Sequence, residues 1–376
     1  MNLTPTFRRA IVPSIAALAL ALSACGGDDT SGSGSGSGGE GGSVDLASLS
    51  GELTAGGATS QQSAQEAWLV GFQEAAPGVT YTYDAVGSGD GRTNFINGGY
   101  AFAGSDAYLT DDEGELAGAT ERCAGQAPIE IPDYVSPIAV IFNVPGVDDL
   151  NLSPEVVAGI FAGEITSWDA PEIAELNDGV ELPSADITPV HRSDESGTTE
   201  NFTDYLDAVA GDTWTAGVVE TWPGEYGGEA GNGTSGVVQV VSENENTIGY
   251  ADASQAADLG QANIQVGEEF VAPSADAAAQ ILEVSPRVDE ASDVNLAVDI
   301  DHTTEEAGVY PIVLVSYILA CTQYDDQATA DLVKGFLGYI LSSEGQEAAS
   351  ADAGNAPLSD SLSEQAQTIV ETISGP

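Results

Sequence analysis

Hydroxyl side chains stand at three places where a loop is expected to turn into a helix: Ala58-Thr59-Ser60, Gly87-Ser88-Gly89 and Ser196-Gly197-Thr198. The first turn of a helix has backbone N–H groups with no partner inside the helix and sits at the positive end of the helix dipole, so each junction can hold an anion. A serine or threonine in that place is ordinarily no more than an N-cap. The third junction carries more, because His191-Arg192-Ser193-Asp194-Glu195 runs straight into it. A guanidinium is a planar fork of donors that fits a tetrahedral oxyanion, and the nearby carboxylate of Asp194 can hold that fork in place. The alternative is a plain surface Arg–Asp pair. Arg92, four residues beyond Ser88, stays open between a further ligand and a screened surface charge.

These junctions need rigid elements to aim them. From residue 46 onward strands and helices alternate, the pattern of an α/β fold. Strands are expected at residues 49–55, 80–85 and 101–103, with helices at 60–76 and 89–96 between them; Gly104-Ser105-Asp106 follows the third strand. Residues 134–143 are apolar and β-branched and suit a long strand crossing between two lobes. Residues 153–162 have a capped helix start with proline just inside it. Further strands are expected at 187–190, 248–250 and 310–320, and further helices at 198–209 and 325–342. No repeat of solenoid period is present.

Composition narrows the function classes. At 376 residues the chain is long enough for about two domains, and a hydrophobic fraction of 42% with mean hydropathy −0.02 is that of a globular protein. Seven lysines and arginines face 60 aspartates and glutamates, for a net charge of −53. Nucleic acid binding needs a local basic cluster, which so few basic residues cannot supply. His191 and His302 are the only histidines and no Cys/His metal spacing occurs, so neither a metal nor a cofactor is expected.

The front end has a different composition. Arg8 and Arg9 precede the apolar run 10–22, which is too short to span a bilayer, so residues 1–24 fit an export signal. Leu22-Ser23-Ala24-Cys25 followed by Gly26 resembles the bacterial lipobox, which implies a lipid on Cys25. Residues 25–45 are rich in glycine and serine and form a flexible tether. Without the signal, five basic residues remain: Arg92, Arg122, Arg192, Arg287 and Lys334. Cys123 and Cys321 allow one disulfide in an exported protein; the alternative is two buried thiols.

Five segments in order carry a resemblance: Gly57-Ala58-Thr59 leading to Trp68, Val86-Gly87-Ser88-Gly89, Gly104-Ser105-Asp106-Ala107, the run from Phe161 to Asp169, and Arg192 to Thr198. Together they look like the phosphate-binding protein of the bacterial phosphate ABC transporter. Gly231-Asn232-Gly233, Ile248-Gly249-Tyr250 and Tyr310-Pro311-Ile312 extend the similarity over nearly all of the chain from about residue 49. The resemblance implies a two-lobed, type II periplasmic-binding-protein (Venus-flytrap) fold, with lobe I at 46–135 plus 309–376, lobe II at 136–308, and phosphate in the cleft between them. The family's phosphate contacts fall on Thr59, Ser60, Ser88 and Asp106 in the first lobe and on Arg192, Ser196, Gly197 and Thr198 in the second. Asp194 matches the carboxylate that orients the arginine. Ser60 stands where many members have an aromatic, which suits a contact through the backbone N–H, and Gly89 replaces a frequent second serine.

The resemblance also implies lobes that close on ligand, with hinges near 134–137 and 303–311, and a membrane permease as partner. The protein is then expected to be monomeric, extracytoplasmic and held at the membrane by the lipid. An aspartate in an anion site makes sense by proton count: HPO4(2−) and H2PO4(−) carry a hydrogen that Asp106 can accept, and sulfate at neutral pH carries none. Among other classes, a serine hydrolase lacks a Gly-x-Ser-x-Gly elbow and a metal phosphatase lacks ligands. A binder of fully ionised oxyanions conflicts with Asp106, and an adhesin would need no cleft. The expectation is a binding protein and not an enzyme.

Overall fold

A computed structural model of the chain describes residues 44–111, 114–288 and 291–376. The export segment 1–24, Cys25 and the tether as far as residue 43 lie outside the described residues. The folded body is one compact unit within Gly41–Pro376.

The strands are β1 (Ser50–Gly57), β2 (Gly78–Ala85), β3 (Ala103–Ser105), β4 (Ile129–Asn143), β5 (Asn151–Leu152), β6 (Thr188–Arg192), β7 (Glu229–Gly231), β8 (Thr247–Asp252), β9 (Gly260–Gln261), β10 (Asn263–Val266), β11 (Glu269–Val271) and β12 (Val313–Ala320). The main sheet runs β2-β1-β3-β12-β4-β8-β6-β7, with β9 also on β4, and β11-β10-β5 make a small second sheet. The helices are α1 (Gln62–Ala75), α2 (Ser88–Ile96), α3 (Glu115–Arg122), α4 (Pro154–Phe161), α5 (Pro171–Ala174), α6 (Gly197–Ala210), α7 (Gly233–Glu243), α8 (Ala275–Ala279), α9 (Ile281–Val284), α10 (Gln327–Ile340), α11 (Ser343–Ala353) and α12 (Asp360–Val370).

One strand serves both halves of the sheet. Up to Pro137, β4 pairs with β12; from Ile138 it pairs with β8. Its residues are buried along its whole length except for the last, which is why the run reads as continuously apolar rather than alternating. The register of β4 against β12 shifts beside Ser316, leaving Asp133 as the extra residue of a bulge. A bulge of this kind re-aims side chains locally.

Each half has an aromatic core. In the first, α1 buries Ala64, Trp68 and Phe72 on one stripe, as a helix of period 3.6 must, and Phe72 meets Phe336 edge to face at 5.1 Å. Tyr81 lies 4.2 Å from the same ring. In the second, Phe202 stacks on Tyr250 at 4.4 Å and meets Phe161 at 4.8 Å. Cys123 and Cys321, 198 residues apart, form a disulfide with Cα atoms 5.2 Å apart, joining the end of α3 to the end of β12.

Several boundaries differ from the sequence-based expectation. The third strand is Ala103–Ser105 rather than 101–103, so Ser105 belongs to the strand and Asp106 follows directly. Helix α1 starts at Gln62, because the Thr59 carbonyl accepts the Gln62 N–H and leaves Thr59 and Ser60 in the loop. Strand β12 starts at Val313 instead of residue 310, since Pro311 has no N–H to give a ladder. Among the described residues no helix is long and apolar enough to cross a membrane.

Candidate functional site

The ends of β1, β3 and β6 and the starts of α2, α6 and α7 meet in one place. Ser196 is the N-cap of α6: its Oγ accepts the Thr199 N–H at 3.1 Å. Tyr250 anchors the same turn to the aromatic core, since its hydroxyl bonds to Thr199 Oγ1 at 2.7 Å and accepts the Arg192 N–H at 3.3 Å. Gly197 has to be glycine, because a Cβ there would lie 2.7 Å from Asp106 Cβ and from Ser88 Oγ. Gly87, with φ +105°, turns β2 into α2 in a conformation that favours glycine. Gly89 faces Glu195, whose Cγ a Cβ would approach to 2.6 Å, so a serine in its place would collide.

Asp106 is the acceptor at the centre. Its carboxylate takes the Ser60 hydroxyl at 2.8 and 2.9 Å, Ser316 at 2.6 Å and Thr198 at 3.2 Å. Its backbone N–H donates to Ser88 Oγ at 3.1 Å and its carbonyl accepts Asn201 Nδ2 at 2.8 Å. Burial pushes the Asp106 carboxyl up, against the pull of the Ser316 and Ser60 hydroxyls, the Arg192 charge and Thr198.

Arg192 holds a fork. Its Nε donates to Asp194 Oδ1 at 2.9 Å and its Nη2 to Oδ2, while Nη1 faces Thr198 Oγ1 at 3.5 Å. Asp194 also accepts the Gly233 N–H at 3.0 Å from the start of α7. Burial works against the Asp194 charge, but the Arg192 hydrogen bond and charge hold its carboxyl below the usual range. The residues singled out from the sequence, Thr59, Ser60, Ser88, Asp106, Arg192, Ser196, Gly197 and Thr198, are all buried in this one place.

Arg92, open from the sequence between a further ligand and a screened surface charge, is not a surface charge. It is 5% exposed and each of its three nitrogens has a partner: Nε has Glu115 at 2.8 and 2.9 Å, Nη2 has both Glu220 oxygens at 2.7 Å, and Nη1 has Ser105 Oγ at 3.2 Å. Glu115 starts α3 in the first half and Glu220 lies between α6 and β7 in the second, so the arginine ties the halves together. Glu200 sits beside Glu220; burial and then that carboxylate push it up to about 9.

Sequence reasoning missed Ser316, Gln61, Thr234, Asn201 and Gln255. Thr59 Oγ1 lies 3.0 Å from Thr234 Oγ1 and accepts the Thr234 N–H at 3.2 Å; Gln255 Nε2 donates to the Thr59 carbonyl at 2.9 Å. Thr234 had a signal in the small-residue run at the start of α7, and Ser316 in being the one serine or threonine in β12. Gln61, Asn201 and Gln255 had none. The Ser60 hydroxyl is taken up by Asp106. Chemically the place offers guanidinium and hydroxyl donors together with one carboxylate acceptor. Neither histidine touches its hydroxyls among the described residues: His191 Nδ1 lies on the Arg192 carbonyl and His302 Nδ1 on the Pro311 carbonyl.

The chain matches the family model of the PBP superfamily domain over residues 32–344. It is 36% identical over 371 residues to the phosphate-binding protein PstS2 of Mycobacterium bovis, covering 97% of this chain and 98% of that one. It is 31% identical over 312 residues to the phosphate-binding protein PstS of Methanocaldococcus jannaschii, 77% of this chain and 78% of the other. Among solved structures, a high affinity periplasmic phosphate-binding protein bound with phosphate superposes with TM-score 0.67 at 22% identity, over 85% of this chain and 93% of that one. The phosphate-binding protein of Stenotrophomonas maltophilia does so with TM-score 0.64 at 20% identity, over 85% and 94%. These likenesses show the two-lobed periplasmic-binding-protein fold, and the sequence relatives place the chain more closely: it belongs to the PBP superfamily and, within it, to the PstS phosphate-binding proteins.

Proposed function

We propose that this protein binds inorganic phosphate outside the cytoplasm and delivers it to the membrane permease of an ABC importer. The observation that carries the proposal is a buried carboxylate, Asp106, set among hydroxyl donors beside the Arg192 fork. Thr59, Ser60 and Ser88 act from lobe I, residues 46–135 plus 309–376, and Arg192, Ser196, Gly197 and Thr198 from lobe II, residues 136–308. Asp194 orients the arginine. Asp106 accepts the acidic hydrogen of HPO4(2−) or H2PO4(−); sulfate has none to give, and two acceptors would face each other. Fixed donors at hydrogen-bond distance outweigh the protein's distant negative charge, which salt screens within about 10 Å.

The protein works as a monomer, without catalysis, and a lipid on Cys25 with its tether keeps it at the outer face of the membrane. The lobes close on phosphate about residues 134–137 and 303–311, and the closed form is what the permease recognises. The test is isothermal titration of residues 44–376 with phosphate and then sulfate, after unfolding and refolding with the disulfide kept. Tight one-to-one binding of phosphate with sulfate silent is expected; silence to both overturns the proposal. Turnover of a chromogenic phosphate ester would overturn the absence of catalysis.

A further inference from the structure

A line of hydrogen bonds leads from the core of the first half to Asp106. The Tyr81 hydroxyl on β2 donates to Gln65 Oε1 at 2.6 Å, and Gln65 Nε2 donates to Gln61 Oε1 at 2.7 Å. Gln61 Nε2 donates to Ser316 Oγ at 2.7 Å and to Asp133 Oδ1 at 3.3 Å. Ser316 Oγ ends the line on Asp106 Oδ1 at 2.6 Å. Gln61, Gln65, Ser316 and Asp133 are all buried, at 2% exposure or less.

The bonds point one way. A phenol has one hydrogen, and turning Gln65 over would leave the Tyr81 hydrogen unpaired in the core, at a cost of about 1–3 kcal/mol. With Gln65 so fixed, its amide N–H faces Gln61 Oε1, and the Gln61 amide N–H must face Ser316. The Ser316 oxygen is then used as an acceptor, and its single hydrogen goes to Asp106. We infer that Ser316, oriented by Gln61, Gln65 and Tyr81, is a positioning and specificity residue that holds Asp106 as a hydrogen-bond acceptor and so sets the preference for a protonated oxyanion. The inference rests on the phosphate-binding proposal above.

The charged and titratable groups around Asp106 are consistent with this. Arg192 on β6 faces it with Asp194 behind, Tyr83 comes from β2, and Asp133 comes from the bulge of β4. Burial and then the Asp106 charge push the Asp133 carboxyl well above its usual range, so of the two carboxyls Asp133 is driven toward the neutral form. Burial likewise keeps the Tyr81 phenol protonated. Against the cost of burial, the polarised hydroxyl of Ser316 is the largest single support for the Asp106 charge.

The test compares phosphate and sulfate titrations of the full chain, from about pH 8 down to about pH 5, in the wild type, Ser316→Ala, Ser316→Thr and Tyr81→Phe. Without the Ser316 hydroxyl, Asp106 protonates more readily and becomes a donor that accommodates sulfate. At the acid end, Ser316→Ala is expected to bind sulfate about tenfold more tightly than the wild type, the change that one pH unit of displacement would give. Ser316→Thr, which keeps the hydroxyl, restores rejection. Tyr81→Phe, far from the ligand, moves sulfate binding the same way by a smaller factor and keeps the test open should Ser316→Ala not fold. Sulfate curves of Ser316→Ala or Tyr81→Phe that superimpose on the wild type at every pH overturn the inference. A wild type that binds no phosphate overturns instead the proposal on which it rests.

Discussion

Arg192 at the end of β6 and Arg92 in α2 are both buried, both bonded to carboxylates and both near Asp106, yet they are built for different work. Arg192 meets one carboxylate, Asp194, and keeps Nη1 toward the Thr198 hydroxyl at 3.5 Å. Arg92 meets two, Glu115 and Glu220, and gives its remaining nitrogen to Ser105. A guanidinium in a dry place can serve an exchangeable anion only if its fixed partners leave donors over. All three Arg92 nitrogens are bonded to fixed groups, with a carboxylate from each half, so Arg92 holds the halves together, while Arg192 with its single carboxylate remains available.

The contrast can be broken by removing each arginine. Arg192→Ala is expected to weaken phosphate binding by about 100-fold or more, within the range for truncating one partner of a buried charged pair. Titration calorimetry checks this, and an affinity within threefold of wild type, roughly RT in energy, would end the distinction. Arg92→Met should instead act on stability. It leaves Glu115 and Glu220 without their cation, and a loss of about 2 kcal/mol is expected, less than for a fully buried pair because both carboxylates are partly exposed at 17% and 18%. Denaturant unfolding reads that loss; phosphate affinity should change by less than about tenfold.

Asp106→Asn sharpens the comparison from the acceptor side. It replaces the carboxylate acceptor among the hydroxyl donors with a group that can also donate, and the phosphate-over-sulfate ratio is expected to fall by about tenfold. Unchanged selectivity in competition binding would remove Asp106 from the proposal.

The smallest effect is a pH dependence beside Arg92. Glu200 is pushed up to about 9 by burial and by Glu220, so between its ordinary value and about 9 the folded state holds a proton that the unfolded state has lost. Stability from this group is therefore present at low pH and falls as pH rises toward about 9. Glu200→Gln, which cannot ionise, should flatten the alkaline decline in melting temperature. Parallel curves for wild type and variant between neutral pH and about 9 would show that Glu200 is already ionised in the fold.

Much was legible in the chain before any coordinates. Alternating β-branched and helical segments announced an α/β body, and the hydroxyl-bearing starts of α2 and α6, Arg192 and Asp194 were singled out as segments that the fold then brings together, because caps, turns and hydrophobic periods are local properties. Strand and helix ends were less legible: Pro311 delayed β12 and the Thr59 carbonyl delayed α1, both through bonding that periodicity does not reveal.

Short-range facts are written in the chain: which segments are helix or strand, where free N–H groups meet hydroxyls, and that so acidic a chain has very few cations. Only the tertiary structure decided which partners those groups find. It put Ser316, 210 residues from Asp106 in the chain, against that carboxylate, and it gave Arg92 two glutamates from opposite halves. The physical reason is that charge and hydrogen-bond saturation depend on distances of about 3 Å between side chains that lie far apart along the chain.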